Sequence, residues 1–224
     1  MTATVEQVEA ALAVYKPWTL PGYDFFVLGL SNRWIWKCPT GRILDLYNRN
    51  VSADHLEVGV GTGYFLDRCR FPCARPRLAL LDANGHCLRF AARRLARFEP
   101  ETHLANVFEP LSIHRPPFSS VGISYVLHCL PGTIEEKAVV FDNLRPLMAD
   151  GGVVFGATLL AGGVPRTALA RAMMDFYQRK RIFANAQDTL EDLSQVLAAR
   201  FAASTIDVVG CAALFWAKTP SPAQ

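Results

Sequence analysis

From Asp54 onward the chain alternates short apolar runs with amphipathic stretches, a rhythm that narrows the available folds more than any other feature. The apolar runs are HLEVGV (55–60), RLALLD (77–82), THLANV (102–107), VGISYVL (121–127) and GGVVFGATLL (151–160). Helix-like stretches lie between several of them: Tyr64 to Arg70, Cys87 to Phe98 and Ile134 to Leu147. Continuous apolar strands separated by helices are what a parallel sheet covered on both faces requires. The pattern predicts a doubly wound α/β fold. After helices over Arg166 to Arg181 and around Leu190 to Phe201, two more strand-like runs, STIDVVG and CAALFWAKT, follow with almost nothing between them. So short a connection joins antiparallel neighbours.

Ahead of this region lies a segment rich in aromatics, YKPWTLPGYDFFVLGLSNRWIWKCPTG, whose prolines and glycines predict short pieces draped over another surface. The chain therefore reads as an N-terminal helical lid segment (1–50), one α/β domain (51–218) and a frayed tail (219–224). With 224 residues, 51% of them hydrophobic, it has enough apolar material for one sizeable core. The opening stretch MTATVEQVEAALAVY reads as an amphipathic helix, not a signal peptide, and no apolar run reaches the length of a membrane span. The arginines are scattered and the net charge is +3, which argues against a nucleic-acid partner. The six cysteines hold one close pair, Cys69 and Cys73, with no second pair at ligand spacing. They are expected as free thiols of a cytoplasmic protein, and no metal site is expected.

The first apolar run ends in HLEVGVGTGY, where Gly59, Gly61 and Gly63 follow Glu57. In a doubly wound sheet, ligands bind beyond the carboxyl ends of the strands, and the first strand-to-helix turn is the usual place. Glycines there permit positive φ and a close approach of backbone to ligand. The dinucleotide fingerprint G-x-G-x-x-G fails from either start: its sixth position falls on Tyr64 or Leu66. No Gly-Lys-Ser/Thr follows, so phosphate-loop chemistry fails too. What remains is E-x-G-x-G-x-G, joined by Asp82 at the end of the next strand in LALLDAN. The plain alternative is a tight turn, with Asp82 serving as a helix N-cap.

Together these residues resemble the first two motifs of the class I S-adenosylmethionine-dependent methyltransferases of small-molecule type, and the order of elements matches over roughly Asp54 to Lys218. The resemblance implies a Rossmann-like seven-stranded α/β sheet with an antiparallel C-terminal hairpin. It implies S-adenosyl-L-methionine as cofactor, with Gly59, Gly61 and Gly63 cradling its amino-acid and ribose part. Asp82, with Ala83 beside it, would bind the ribose hydroxyls, and Glu57 would support the amino-acid end through its loop or a water. THLANVFEPL resembles the third strand and its loop, where Asn106, Val107 and Phe108 would meet the adenine; Phe108 as a core residue is the alternative. An ionised carboxylate can accept both ribose hydrogen bonds, and the cofactor has no phosphate that would demand a basic cradle. The sequence departs from the family in carrying Gly122-Ile123-Ser124 where many relatives have an aspartate early in the fourth strand.

Methyl transfer from a sulfonium is an in-line displacement, and alignment in a dry pocket supplies most of its acceleration. A base, if one is needed, is expected at His128 after the fourth strand, whose pKa range suits a hydroxyl acceptor, or at Tyr23 or Asp24 if the N-terminal segment folds over the site; the alternative for His128 is a histidine that caps the strand end. Tyr15, Tyr23, Asn32 and Trp36 are the expected lid contacts to ligand. His55 receives no role, and His86, His103 and His114 read as surface residues. The expected activity is methyl transfer to an oxygen, nitrogen or carbon of a small natural-product-like acceptor. A cyclase or other non-methylating enzyme of the same fold is one alternative, and a non-catalytic interaction protein with a relic pocket is another. The expected partner is a small molecule, with no membrane and no nucleic acid; a homodimer is compatible with the sequence.

Overall fold

The computed structural model describes residues 24–113 and 117–221. Its strands are β1 (Asp54–Val58), β2 (Arg77–Asp82), β3 (Glu101–Leu104), β4 (Phe118–Gly122), β5 (Met148–Leu159), β6 (Ala203–Val209) and β7 (Ala212–Lys218). They form one seven-stranded sheet in the order β3-β2-β1-β4-β5-β7-β6. β1 to β5 run parallel, and β7 enters antiparallel between β5 and β6. The chain winds outward from β1 in one direction and resumes at β4 on the other side. This reversal opens a crevice at the carboxyl ends of β1 and β4.

The helices are α1 (Thr40–Asn50), α2 (Tyr64–Arg68), α3 (Gly85–Arg94), α4 (Ile134–Lys137), α5 (Val139–Leu144), α6 (Ala168–Arg179) and α7 (Leu190–Arg200). Alternate residues of each inner strand face opposite layers, because side chains on a strand alternate sides. Leu78 and Leu80 of β2 pack with α1, α2, α3 and α6, whereas Ala79 and Leu81 pack with α4, α5 and α7. The expected doubly wound architecture is what forms. No helix among the described residues is long and apolar enough to cross a membrane.

Three local expectations are corrected. The stretch Ile134 to Leu147 is not one helix but α4, α5 and a 3-10 turn at Arg145–Leu147; Pro146 lacks the N–H that another helical turn would need. β3 stops at Leu104 because Asn106 Oδ1 accepts the Phe108 N–H at 3.1 Å, a side-chain turn that competes with the sheet. The aromatic entry segment is not broken into short pieces over Asp24–Ile35, where it forms a π-helix that runs through Gly29. Leu28, Asn32 and Trp36 recur every fourth residue and are buried, while Phe26, Leu30 and Trp34 are exposed. Just beyond this helix, the Cys211 N–H at the tip of the β6–β7 hairpin donates to Trp36 O at 2.8 Å. α1 buries Ile43, Leu46 and Tyr47 in the same layer as α2 and α3, so residues 40–50 pack with the sheet body.

Candidate active site

The chain leaves β1 through three glycines with positive φ, 69° at Gly59, 51° at Gly61 and 73° at Gly63. A hydrogen bond from the Gly63 N–H to Val60 O, 2.8 Å long, closes the turn. Two of these glycines do different work. A Cβ on Gly59 would lie 2.2 Å from Val126 Cγ2, so that glycine lets two protein segments touch. A Cβ on Gly61 would meet nothing within 4 Å. Gly61 faces a cavity of about 1130 Å³, counted to its open mouth. Glu57, Gly59, Gly61, Gly63, Asp82, Ala83, Asn106 and Val107 all line it. The structure thus brings these sequence-selected residues into one place. The remaining wall is mostly apolar and includes Leu28, Tyr125, Val126, Leu130 and Pro131.

Glu57 is buried, and both of its oxygens have protein partners. The Tyr47 hydroxyl donates to Oε1 at 2.5 Å, and His55 Nε2 lies 3.0 Å from Oε2. Burial, then the Glu57 charge, holds the Tyr47 phenol well above its ordinary pKa, so it remains a donor. The other nitrogen of His55 lies 2.8 Å from Ser120 Oγ, which also accepts the Ser52 N–H at 2.9 Å. A polar line therefore runs under the glycine turn from α1 through β1 to β4. His55, given no role from sequence, is part of it; residues two apart on a strand share a face, and that signal was available. The same line explains the departure at Gly122. It pairs with Glu57 across β1 and β4, and a Cβ there would lie 2.2 Å from Glu57 Oε2.

Asp82 ends β2 and is 8% exposed. Its Oδ1 accepts the Asn84 N–H at 2.8 Å, and it is Asn84, not Asp82, whose side chain caps α3 by accepting the His86 N–H. Burial pushes the Asp82 pKa up to about 6 against the pull of neighbouring backbone amides. Ser124, which follows β4, is buried and lines the wall, with its hydroxyl close to the Tyr47 phenol. Open space over Gly61 and the Asp82 carboxylate on the same cavity wall fit a ligand that carries vicinal hydroxyls and needs a close approach to the backbone. Sequence reasoning passed over Ser124.

Other expected site residues lie elsewhere. Tyr15, Tyr23 and His114 fall outside the described residues. Phe108 does not line the cavity and packs against the core on the α4–α5 side. Trp36 is buried against Tyr177 and Phe183, with ring centroids 6.4 and 5.9 Å away. Asn32 is fully buried and bonded to Thr40 and Tyr125. Neither Trp36 nor Asn32 is on the cavity wall. His128 sits behind that wall, 3% exposed and edge-on to Phe183 at 4.6 Å. The Leu159 N–H donates to its Nδ1 at 3.3 Å, and burial, then the Lys137 charge, pushes its pKa down to about 3. Among the described residues no cluster of His, Cys, Asp or Glu could hold a metal ion.

The strand order, the antiparallel C-terminal strands and a glycine-rich cavity facing a carboxylate define the class I S-adenosylmethionine-dependent methyltransferases, and the chain belongs to them. A model described as a methyltransferase domain matches residues 56–154. The chain is 38% identical over 214 residues to the demethylluteothin O-methyltransferase of Streptomyces thioluteus, covering 96% of this chain and 93% of that one. It is 35% identical to the physcion biosynthesis cluster O-methyltransferase of Aspergillus chevalieri, over 95% of this chain and 96% of the relative. Among solved structures, the DhpI–SAH complex superposes with a TM-score of 0.70 at 19% identity, over 99% of this chain and 100% of that one. S-adenosylmethionine is the cofactor of this enzyme.

Proposed function

We propose that the enzyme methylates a hydroxyl oxygen of a small, largely apolar natural-product acceptor. The observation that carries this reading is the make-up of one cavity, which joins Gly61 and Asp82 to the apolar Leu28, Val126, Leu130 and Pro131. Small-molecule pockets have this make-up, mostly apolar with a few placed polar groups. The names of the two relatives, both O-methyltransferases of natural products, support oxygen as the acceptor atom. Six free cysteines support a cytoplasmic setting.

In this reading Asp82 accepts the ribose hydroxyls, Asn106 and Val107 face the adenine, and the Gly59–Gly63 turn and Ser124 hold the amino-acid end. Glu57 lines the cavity with its carboxylate fixed by Tyr47 and His55. The bound cofactor supplies an electrophilic methyl group on a positively charged sulfur. The chain's task is to exclude water and hold the acceptor oxygen in line, the contribution that alignment makes to a displacement. Asp24 does not serve as a base: its oxygens take the Thr62 hydroxyl at 2.6 Å and Arg94 at 2.7 Å, which pins the π-helix to the glycine turn.

The test is turnover of S-adenosylmethionine with demethylluteothin and related hydroxylated acceptors. One S-adenosylhomocysteine per O-methylated product is expected; a product methylated on carbon or nitrogen, or none, overturns the reading. His128 is assigned a structural role. With Nδ1 occupied by the Leu159 N–H, the neutral ring carries its proton on Nε2 and has no lone pair to offer a substrate. His128→Ala is expected to cost about 1–3 kcal/mol of stability by orphaning that N–H. The maximal rate, measured below the variant's melting temperature, is expected to stay within severalfold of wild type. A drop of roughly a hundredfold or more, the usual share of a general base, would restore His128 to the chemistry.

A further inference from the structure

Tyr125 holds a backbone conformation that its side chain opposes. It leaves β4 with φ of 61°, in the left-handed region where a bulky residue persists only if its surroundings over-determine it. Its N–H donates to Ala157 O at 2.7 Å, and its ring meets His128 edge-on at 5.4 Å. Its hydroxyl donates to Asn32 Oδ1 at 2.9 Å. Asn32 is itself immobilised: its Nδ2 donates to Thr40 Oγ1 at 2.9 Å, and its carbonyl accepts the Cys38 N–H at 2.8 Å. The π-helix thus lends the cavity wall Leu28 and holds Tyr125 through Asn32.

What Tyr125 controls is visible on either side of it. Ser124, and Val126 in contact with Gly59, form the cavity wall together with Tyr125. A change in the φ of Tyr125 swings both neighbours. We infer that Tyr125, held by Asn32, is a positioning residue for methyl transfer, fixing the wall where cofactor and acceptor meet. Asn32 acts through Tyr125 and touches neither ligand. The inference rests on the reading that this cavity holds the cofactor.

The experiment compares wild type with Tyr125→Phe, Asn32→Ala and the pair Tyr125→Phe/Asn32→Leu, in which both polar partners become apolar. Each single variant is expected to turn over demethylluteothin about tenfold more slowly, with affinity for S-adenosylhomocysteine within about twofold of wild type, because misplacement costs rate more than binding. The pair is expected to regain part of the melting temperature lost by the singles, since it removes the orphaned group between positions 125 and 32 although Thr40 still loses the Asn32 amide, but not the rate. The methyl resonance of bound S-adenosylmethionine, labelled with carbon-13, should move in the same sense in both singles. Wild-type rates in the singles, or a rate recovered along with stability in the pair, would overturn the inference. If wild type does not accept demethylluteothin, the resonance decides alone: spectra identical to wild type overturn it. A wild-type protein that binds no S-adenosylhomocysteine would instead overturn the cavity reading.

Discussion

Gly61→Val is expected to weaken binding of S-adenosylmethionine and S-adenosylhomocysteine by about a hundredfold or more while leaving a folded protein. The position is suited to the test because a side chain there meets no protein atom within 4 Å and projects into the cavity. The φ of 51° makes a β-branched residue cost roughly 1–2 kcal/mol of folding stability, a loss that a domain with this much core tolerates. The weakened binding has a separate cause, overlap between the new methyl groups and the ligand. Gly61→Ala divides the two: it carries most of the backbone cost and little of the overlap, so its melting temperature should fall with Val's and its affinity should fall much less. Gly59 could not serve, since its substitution forces Val126 aside and confounds folding with binding. Calorimetry with S-adenosylhomocysteine on the folded variants is the measurement. Wild-type affinity in folded Gly61→Val would move the cofactor out of this cavity.

The parts of the site that could be read from sequence are those whose chemistry is local. A turn that needs positive φ advertises itself with glycine, and a carboxylate at the end of the neighbouring strand is placed by strand length, so the meeting of Gly61 and Asp82 on one cavity wall is legible in the sequence. The side-chain partnerships were harder. Asn32 and Tyr125 stand 93 positions apart and meet only in the folded chain, where the π-helix packs beside the exit of β4. His128 was misplaced for a related reason. Its location after β4 was right, but the direction of the chain there is set by the left-handed turn at Tyr125, and a tyrosine gives no warning of positive φ. Gly122 looked like a departure from the family because its reason, the Glu57 carboxylate beside it, lies on another strand. The entry segment misled through its composition: prolines and glycines suggested breaks, whereas the buried line Leu28, Asn32 and Trp36 gives the helix a packed face that holds it through Gly29.

Asp82→Ala is expected to weaken S-adenosylhomocysteine binding by roughly ten- to a hundredfold, the scale of hydrogen bonds of about 1.5–3 kcal/mol to a charged group. The wild-type protein should also show its dependence on this carboxylate through pH. Burial raises the Asp82 pKa to about 6, so the free site begins to take up a proton just below neutrality. The ionised carboxylate accepts from both ribose hydroxyls, whereas the protonated form has become a donor at one oxygen and accepts less well. The ligand therefore prefers the ionised form, and binding at low pH must release the proton. The sign follows: affinity is flat above about pH 7 and declines as the pH falls through 6, by at most about tenfold per unit. Asp82→Asn keeps the shape of the group and has no proton to lose, so its weaker affinity should be level from pH 5 to 8. Any other group that titrates in this range would bend both curves alike, which makes the difference between them the reading of Asp82. Parallel curves, or an alanine variant that binds as wild type does, would mean that the ribose hydroxyls lie elsewhere in the cavity.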